Sequence, residues 1–310
     1  MLMEHLIEKI IEKKSPIVVG LDPRLENLPE EVVANSFEKY GQTLKAVAEA
    51  ILTFNKAIID AVYDLVPAVK PQIAFYEQYG LEGMRAYIET CEYAKSKGLI
   101  VIGDIKRGDI GTTSKAYSIA HLGTVRVGNQ TFKAFDTDII TVNPYLGDDC
   151  LKEFMDEVKL EDKGLFVLVK TSNKSSGQIQ DLTVDGDKVY ERVAQMVASW
   201  NEKTLGSSGY SPIGAVVGAT YPAELDNLRL KMPHAFFLVP GYGAQGGTAK
   251  DIVGAFNQDG LGAVINSSRG IIYAFESSEL GYAESARKAT LTMRDDINEA
   301  LKNVGKVYWT

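Results

Sequence analysis

The chain alternates short apolar runs with longer segments in which apolar residues recur at helical spacing. Segments such as Met84–Lys97 and Lys188–Asn201 are long enough for amphipathic helices. The apolar runs are Ile17–Leu21, Leu65–Val69, Leu99–Gly103, Asp138–Val142, Leu165–Val169, Ile213–Val217, Ala235–Val239 and Leu261–Ile265. Strands that alternate with helices predict βαβ units and a parallel sheet. Since these candidate strands match the number in a (β/α)8 barrel, we expect a barrel of the TIM type.

A doubly wound open sheet would show the same alternation of strands and helices. It is disfavoured because no Gly-x-Gly-x-x-Gly motif follows the first predicted strand. No Pro- or Ser-rich linker divides the chain, so residues 1–310 are predicted to form a single α/β barrel domain. Two additions are expected. One is an amphipathic helix over residues 1–14, and the other is an inserted helical segment over residues 23–45, where the stretch after the first strand exceeds a normal loop.

The composition argues against several classes of function. Hydrophobic residues make up 45% of the 310 residues, which is ordinary for a globular protein with a large core. A formal net charge of −8 argues against general nucleic-acid binding, which needs a basic face. Cys91 and Cys150 lack the spacing of a metal site, and we find no signal peptide and no apolar run of membrane length. We therefore expect free thiols and a cytoplasmic protein without membrane or nucleic-acid partners.

The third predicted strand ends in a cluster of charges formed by Asp104, Lys106 and Asp109. Alternate residues of a strand share a face, so Asp104 and Lys106 follow Ile102 on one side of the sheet. Desolvation offsets most of the attraction within a buried ion pair, which makes such a pair a poor device for stability alone. Active sites of (β/α)8 barrels lie at the carboxyl ends of the strands. The cluster therefore predicts a functional site.

Polar residues follow most of the other predicted strands as well. Asp22 ends the first strand, Lys70 ends the second, Ser172 follows the fifth, Gln245 lies in a glycine-rich loop after the seventh, and Arg269 follows the eighth. Taken singly, each has an ordinary explanation, such as a turn before proline, a solvated lysine or a helix cap. Their joint occurrence at one edge of the predicted barrel favours a site. His5, His121 and His234 share no motif, so neither a metal centre nor a His-based triad is predicted.

Together these motifs resemble the orotidine 5′-phosphate decarboxylase family, in its longer branch. The residues that carry the resemblance are Leu21–Arg24, Val69–Pro71, Asp104–Asp109 with Thr113, Lys170–Asn173, Gly241–Gly247 and Ser267–Gly270. They run from the first predicted strand to the eighth. The resemblance implies that the chain converts orotidine 5′-monophosphate to uridine 5′-monophosphate and carbon dioxide in pyrimidine nucleotide synthesis. It also implies that no cofactor or metal takes part.

The resemblance assigns the central chemistry to Lys106. Loss of carbon dioxide leaves negative charge on a ring carbon, and a positioned lysine can both stabilise that charge and donate a proton to it. Asp104 and Asp109 would lie on either side of Lys106 and favour its charged form. Lys70 would complete an alternating row of charges.

Substrate binding and assembly are also implied by the resemblance. Asp22 would accept hydrogen bonds from the ribose hydroxyls, Ser172 would contact the amide edge of the pyrimidine, and Gln245 and Arg269 would hold the phosphate. Arginine suits this last role because its two-pronged donor geometry matches phosphate. Family members carry the counterparts of Asp109 and Thr113 across the subunit boundary. The resemblance therefore implies a homodimer whose sites are shared.

Three alternatives stay open at this point. A magnesium-dependent phosphosugar decarboxylase or epimerase of the same barrel superfamily also carries an Asp-x-Lys-x-x-Asp third strand. A Schiff-base aldolase would use Lys70 or Lys106, although flanking carboxylates would keep the lysine charged and poorly nucleophilic. A barrel without activity could bind nucleotides or act as a scaffold, although every expected catalytic position is filled.

Overall fold

The barrel is built from eight parallel strands in the part of the chain that the computed structural model describes, residues 1–219, 222–243 and 247–309. The strands are β1 (Ile17–Leu21), β2 (Ala68–Pro71), β3 (Ile100–Arg107), β4 (Ile139–Val142), β5 (Gly164–Lys170), β6 (Ser211–Val217), β7 (Ala235–Val239) and β8 (Ala263–Ser267). Neighbours pair in chain order, and β1 pairs with both β2 and β8, which closes the sheet. The predicted α/β barrel is thereby confirmed.

Helices cover the outside of this sheet. The long ones are α1 (Leu2–Lys13), α2 (Glu30–Tyr40), α3 (Leu44–Val62), α4 (Gly80–Ser96), α5 (Gly111–His121), α6 (Asp148–Glu161), α7 (Val189–Lys203), α8 (Pro222–Lys231) and α9 (Tyr282–Asn303). Short helices span Ala74–Glu77, Gly177–Gln180 and Arg269–Ile272, and 3-10 turns span Leu25–Asn27, Val253–Ala255 and Ala274–Ser277. Two small antiparallel hairpins pair Val125–Val127 with Gln130–Phe132 and Thr183–Val184 with Asp187–Lys188. None of the helices in the described ranges is both long and apolar enough to cross a membrane.

The core combines the strands with the helix faces that cover them. Every residue of β1 and of β7 is buried, as in a parallel sheet covered on both sides. Helix α1 buries Leu6 and Ile10 and lies by the beginnings of β5 and β6. Its first turn is tied there because the Leu2 N–H donates to Asp162 Oδ1 at 3.0 Å. This helix therefore lies at the end of the barrel opposite the carboxyl ends of the strands.

Two strands begin at least two residues later than the apolar runs predict. β2 starts at Ala68 rather than Leu65, because Pro67 has no N–H to offer a neighbouring strand. β8 starts at Ala263 rather than Leu261, because Gly262 has a φ of 89°, in the left-handed region, which lies outside regular strand geometry. Apolar runs thus mark buried chain, and proline and glycine decide where the strand within it begins.

The segment over residues 23–45 contains a 3-10 turn followed by α2. Helix α2 packs on α3, which begins after Thr43. The Thr43 hydroxyl accepts the Ala46 N–H at 3.2 Å, the usual way in which threonine caps a helix. This segment therefore adds helix outside the barrel and leaves the order of the strands unchanged.

Candidate active site

Asp104 is the centre of a hydrogen-bonded cluster at the carboxyl end of β3. Its side chain is only 8% exposed, and four donors surround it. Lys70 Nζ and Gln72 Nε2 donate to Oδ2 at 2.7 and 2.9 Å, whereas Lys106 Nζ and Thr141 Oγ1 donate to Oδ1 at 2.5 and 2.9 Å. Both carboxylate oxygens are thus satisfied, which compensates for the cost of burying the charge.

The end of β3 departs from regular strand geometry at Lys106. Its φ is 46°, in the left-handed region, and the register between β3 and β4 shifts between Gly103 and Arg107. A non-glycine residue in this region costs roughly 1–2 kcal/mol. The Thr141 hydroxyl accepts the N–H groups of Ile105 and Lys106, each at 3.0 Å, and so holds the distortion in place. Bulges of this kind often re-aim a side chain beside an active site.

Charges of opposite sign keep the buried members of the cluster ionised. Burial would raise the pKa of Asp104, but Lys70 and Lys106 outweigh burial and lower that pKa below its ordinary value. Burial would likewise lower the pKa of Lys70, but Asp104 and Asp22 raise it. At neutral pH the carboxylate of Asp104 is therefore negative and the amine of Lys70 positive. The side chain of Lys106 is 45% exposed, so this cation is accessible to a ligand above the barrel.

Asp22 follows β1 and lines the same cleft as Lys70, Asp104 and Arg269. Among the residues described, its buried Oδ1 has no hydrogen-bond partner. A buried carboxylate oxygen without a donor is costly, so this atom is suited to accept a hydrogen bond from a ligand. The strand end is crowded as well, since a Cβ on Gly20 would lie 1.9 Å from Ser268 Oγ. Only glycine therefore lets β1 and the residue after β8 approach this closely.

Arg269 begins the short helix after β8 and is exposed at the edge of this cleft. In the described ranges its guanidinium makes no hydrogen bond or ion pair, so its donors point to no protein acceptor. Gly241 and Gly243, in the loop after β7, have φ values of 101° and 70°, which require glycine. Gln245, the other residue expected at the phosphate, lies outside the described residues.

Ser172 lies after β5, in close contact with the end of β6. A Cβ on Gly218 would lie 2.9 Å from the Ser172 Cβ, so glycine is needed there. The segment is anchored by Lys170, whose buried Nζ lies 2.5 Å from Asp181 Oδ1. Gln180 adds two hydrogen bonds to Thr171, at 3.0 and 2.7 Å. Ser172 is thus held on the β5–β6 side of the barrel mouth, outside the cluster around Asp104.

Asp109 and Thr113 do not join the cluster around Asp104 within one chain. Asp109 Oδ1 accepts the Ile110 N–H at 2.8 Å, and in the described part of the chain Asp109 forms no ion pair with Lys106. Thr113 is exposed on α5. The flanking role predicted for Asp109 therefore has no support inside a single subunit, and it stays a prediction about a pair of subunits.

Gln72 and Thr141 bind Asp104 but were missed by the analysis of charges. Each carried a signal in the sequence. Gln72 lies two residues after Lys70, on the same face if β2 is extended, and Thr141 is the polar residue of the otherwise apolar run Ile139–Val142. Uncharged residues of this kind become candidates only when the neighbouring strand is known.

Comparison with known proteins agrees with this geometry. The sequence profile described as "Orotidine 5'-phosphate decarboxylase / HUMPS family" matches residues 15–279. A Rhodopirellula baltica protein named orotidine 5′-phosphate decarboxylase is 45% identical over 295 residues, which cover 93% of this chain and 96% of that protein. Among solved structures, a putative orotidine-monophosphate-decarboxylase from Toxoplasma gondii superposes with a TM-score of 0.81 at 29% identity and covers 98% of both chains. The OMP decarboxylase of Leishmania donovani superposes with a TM-score of 0.73 at 32% identity and covers 96% of this chain and 98% of that one.

These matches extend over nearly the whole chain and include the strand ends that build the site. The profile begins just before β1 and ends after β8. By sequence and by fold, the chain belongs to the orotidine 5′-phosphate decarboxylase / HUMPS family.

Proposed function

We propose that the chain decarboxylates orotidine 5′-monophosphate to uridine 5′-monophosphate in pyrimidine nucleotide synthesis, with Lys106 as the proton donor. The observation that carries the proposal is the row Lys70–Asp104–Lys106 at the carboxyl ends of β2 and β3. The names of relatives at 40–45% identity support the choice of substrate over a phosphosugar. The same names disfavour an aldolase and an inactive barrel.

The proposed chemical step uses Lys106, supported by its neighbours in this row and by Gln72. The bond between the ring carbon and the carboxylate breaks, carbon dioxide leaves, and the electron pair stays on the ring carbon. The Lys106 ammonium stabilises that charge electrostatically and then donates a proton to the carbon, and the amine regains a proton from solvent. Asp104 orients the ammonium through its 2.5 Å hydrogen bond, and Lys70 and Gln72 fix Asp104 from the other side.

The remaining site residues are assigned to the rest of the substrate. The unpartnered oxygen of Asp22 would accept a hydrogen bond from a ribose hydroxyl, and Ser172 would contact the amide edge of the pyrimidine. Gln245 and Arg269 would bind the 5′-phosphate, after β7 and β8, where barrels of this type commonly bind phosphate. The uncommitted donors of Arg269 support this assignment.

We further propose a homodimer in which Asp109 and Thr113 complete the partner's site. Apolar side chains beside Asp109 support this, because Ile110 is 54% exposed and Tyr145, in the adjacent loop after β4, is 79% exposed. The two segments are neighbours, since a Cβ on Gly108 would lie 2.6 Å from the Asn143 carbonyl oxygen. Exposed apolar residues that cluster in this way mark association surfaces.

Two finer assignments complete the proposal. Inserted helix α2 supports membership of the longer branch of the family. The two cysteines, both free, are in keeping with a cytoplasmic location.

The assignment is tested by following the ultraviolet absorbance of orotidine 5′-monophosphate with purified protein, with and without a chelator. We expect a fall in absorbance that is insensitive to the chelator, with uridine 5′-monophosphate and carbon dioxide as products. Well-folded protein that leaves the absorbance unchanged would overturn the proposal. In that case the phosphosugar substrates of the same barrel superfamily would be assayed next, with and without the chelator, because those enzymes need magnesium.

A further inference from the structure

Tyr273 joins the two parts of the cleft that are assigned to ribose and to phosphate. It directly follows the short helix Arg269–Ile272, and its N–H donates to the Arg269 carbonyl at 3.2 Å. Its side chain crosses to the end of β1, where the hydroxyl donates to the Asp22 carbonyl at 3.1 Å and accepts the Arg24 N–H at 2.7 Å. One side chain therefore ties the backbone of Asp22 to the helix that carries Arg269.

The surroundings of Tyr273 make this tie rigid. The residue is 7% exposed, and its ring stacks on Phe54 of α3 with the centroids 6.1 Å apart. Burial raises the pKa of Tyr273 to about 12, so its hydroxyl keeps the proton that it donates to Asp22. A buried ring has few rotamers, and a hydroxyl that both donates and accepts fixes the one that remains.

We infer that Tyr273 is a positioning residue that couples phosphate binding at Arg269 to the placement of Asp22. The inference rests on the proposed function, because it takes the ribose and phosphate roles of those two residues from it. Binding energy from a remote part of a substrate can be used to order the groups around the reacting atoms. Asp22 is one of these groups, since its charge acts on Lys70. Tyr273 therefore connects the two ends of the cleft through a single side chain and its hydrogen bonds.

The test compares Tyr273→Phe with wild type on two substrates, orotidine 5′-monophosphate and orotidine, which lacks the phosphate. Phenylalanine keeps the ring and removes both hydrogen bonds. We expect kcat/KM for the phosphorylated substrate to fall about tenfold, as the loss of one to two net hydrogen bonds would give. For orotidine we expect a change of less than twofold, because no phosphate is present to be coupled. A merely structural role would lower both values equally.

Tyr282→Phe is the matched control. Tyr282 stacks on the same Phe54 ring at 5.4 Å, and in the described part of the chain its hydroxyl has no hydrogen-bond partner. We expect this variant to match wild type on both substrates. We define the ratio as kcat/KM for orotidine 5′-monophosphate divided by kcat/KM for orotidine. The third variant, Arg269→Ala, should lower this ratio further than Tyr273→Phe does. In the Arg269→Ala background, Tyr273→Phe should have no further effect on that ratio, because the coupled contact is already absent.

The outcomes separate the inference from the proposed function. A ratio that falls in Arg269→Ala but not in Tyr273→Phe would overturn the inference and leave the proposed function standing. Equal losses on both substrates in Tyr273→Phe, or full additivity of the two substitutions, would overturn it as well. A ratio unchanged in Arg269→Ala would remove the phosphate role of Arg269 and the inference together, whereas absence of any turnover in wild type would remove the proposed function itself.

Discussion

Replacing Thr141 by valine removes the hydroxyl that holds Asp104 and the distorted end of β3. The side chain keeps its shape but loses the 2.9 Å hydrogen bond to Asp104 and the acceptor for the N–H groups of Ile105 and Lys106. A hydrogen bond to a charged group contributes about 1.5–3 kcal/mol, and a buried N–H left without an acceptor costs about 1–3 kcal/mol. Allowing for partial relaxation, we expect the free energy of unfolding to fall by about 3 kcal/mol.

The same substitution should slow catalysis more than it weakens binding. Without Thr141 the backbone of Lys106, at a φ of 46°, loses its support, and the ammonium is no longer aimed. A displacement of about 1 Å at a reacting group can cost a factor of about 100, so we expect kcat to fall by about 10- to 100-fold. KM should change little, because Thr141 touches Asp104 and the backbone rather than the proposed substrate. Urea unfolding and the absorbance assay measure the two effects.

Thr137→Val and Thr141→Ser are the controls. Thr137 is also fully buried, and its hydroxyl donates to the His121 carbonyl at 2.9 Å, away from the cluster around Asp104. Its substitution should cost about 1 kcal/mol and leave kcat unchanged. Serine at position 141 should retain most of the activity. The reasoning is refuted if Thr141→Val keeps wild-type kcat and loses no more stability than Thr137→Val.

Two further predictions concern the charges of the cluster and their sharing between subunits. A verified heterodimer of Asp104→Ala and Asp109→Ala protomers should recover about half of wild-type activity, since one of its two sites has both aspartates; heterodimers as inactive as either parent would rule out shared sites. Burial would raise the pKa of Asp104, but its lysine neighbours lower that pKa below the ordinary aspartate value of about 3.9. The ionised carboxylate therefore stabilises the fold at pH values above about 3.9. This contribution is lost as the pH falls towards the lower pKa of the native state. The difference in unfolding free energy between wild type and Asp104→Asn should therefore stay constant from about pH 5 to 8 and shrink below about pH 4. A difference that grew on acidification would contradict the assigned direction.

The fold could be predicted because the strands and helices of a parallel barrel each have a recognisable local sequence pattern. Strands buried on both faces form apolar runs, and the helices between them keep amphipathic spacing. The starts of two strands were predicted wrongly, because a single proline or glycine there outweighs the apolar pattern. Pro67 delays β2 and Gly262 delays β8, although the residues before each are apolar and buried or half-buried.

In the cluster around Asp104, only those residues could be predicted that are charged and lie at the end of a predicted strand. Asp104 and Lys106 lie two residues apart, and the structure places Lys70 and Lys106 on either side of Asp104. The left-handed φ of Lys106 could not be foreseen, because it depends on a hydroxyl from β4. Gln72 carries no charge to mark it. Asp109 is predicted to act in the site of a second subunit, about which one chain has no information.

The most direct test of the central claim is the kinetics of Lys106→Ala together with its affinity for uridine 5′-monophosphate. A general acid contributes about 10²–10⁴ in rate, and its positive charge contributes a further factor of about 10²–10³. The account predicts that kcat falls by at least about 10⁴-fold, while the Kd for the product, measured by calorimetry, changes by less than about tenfold. Turnover within about 100-fold of wild type by a variant that still binds the nucleotide would show that another group delivers the proton.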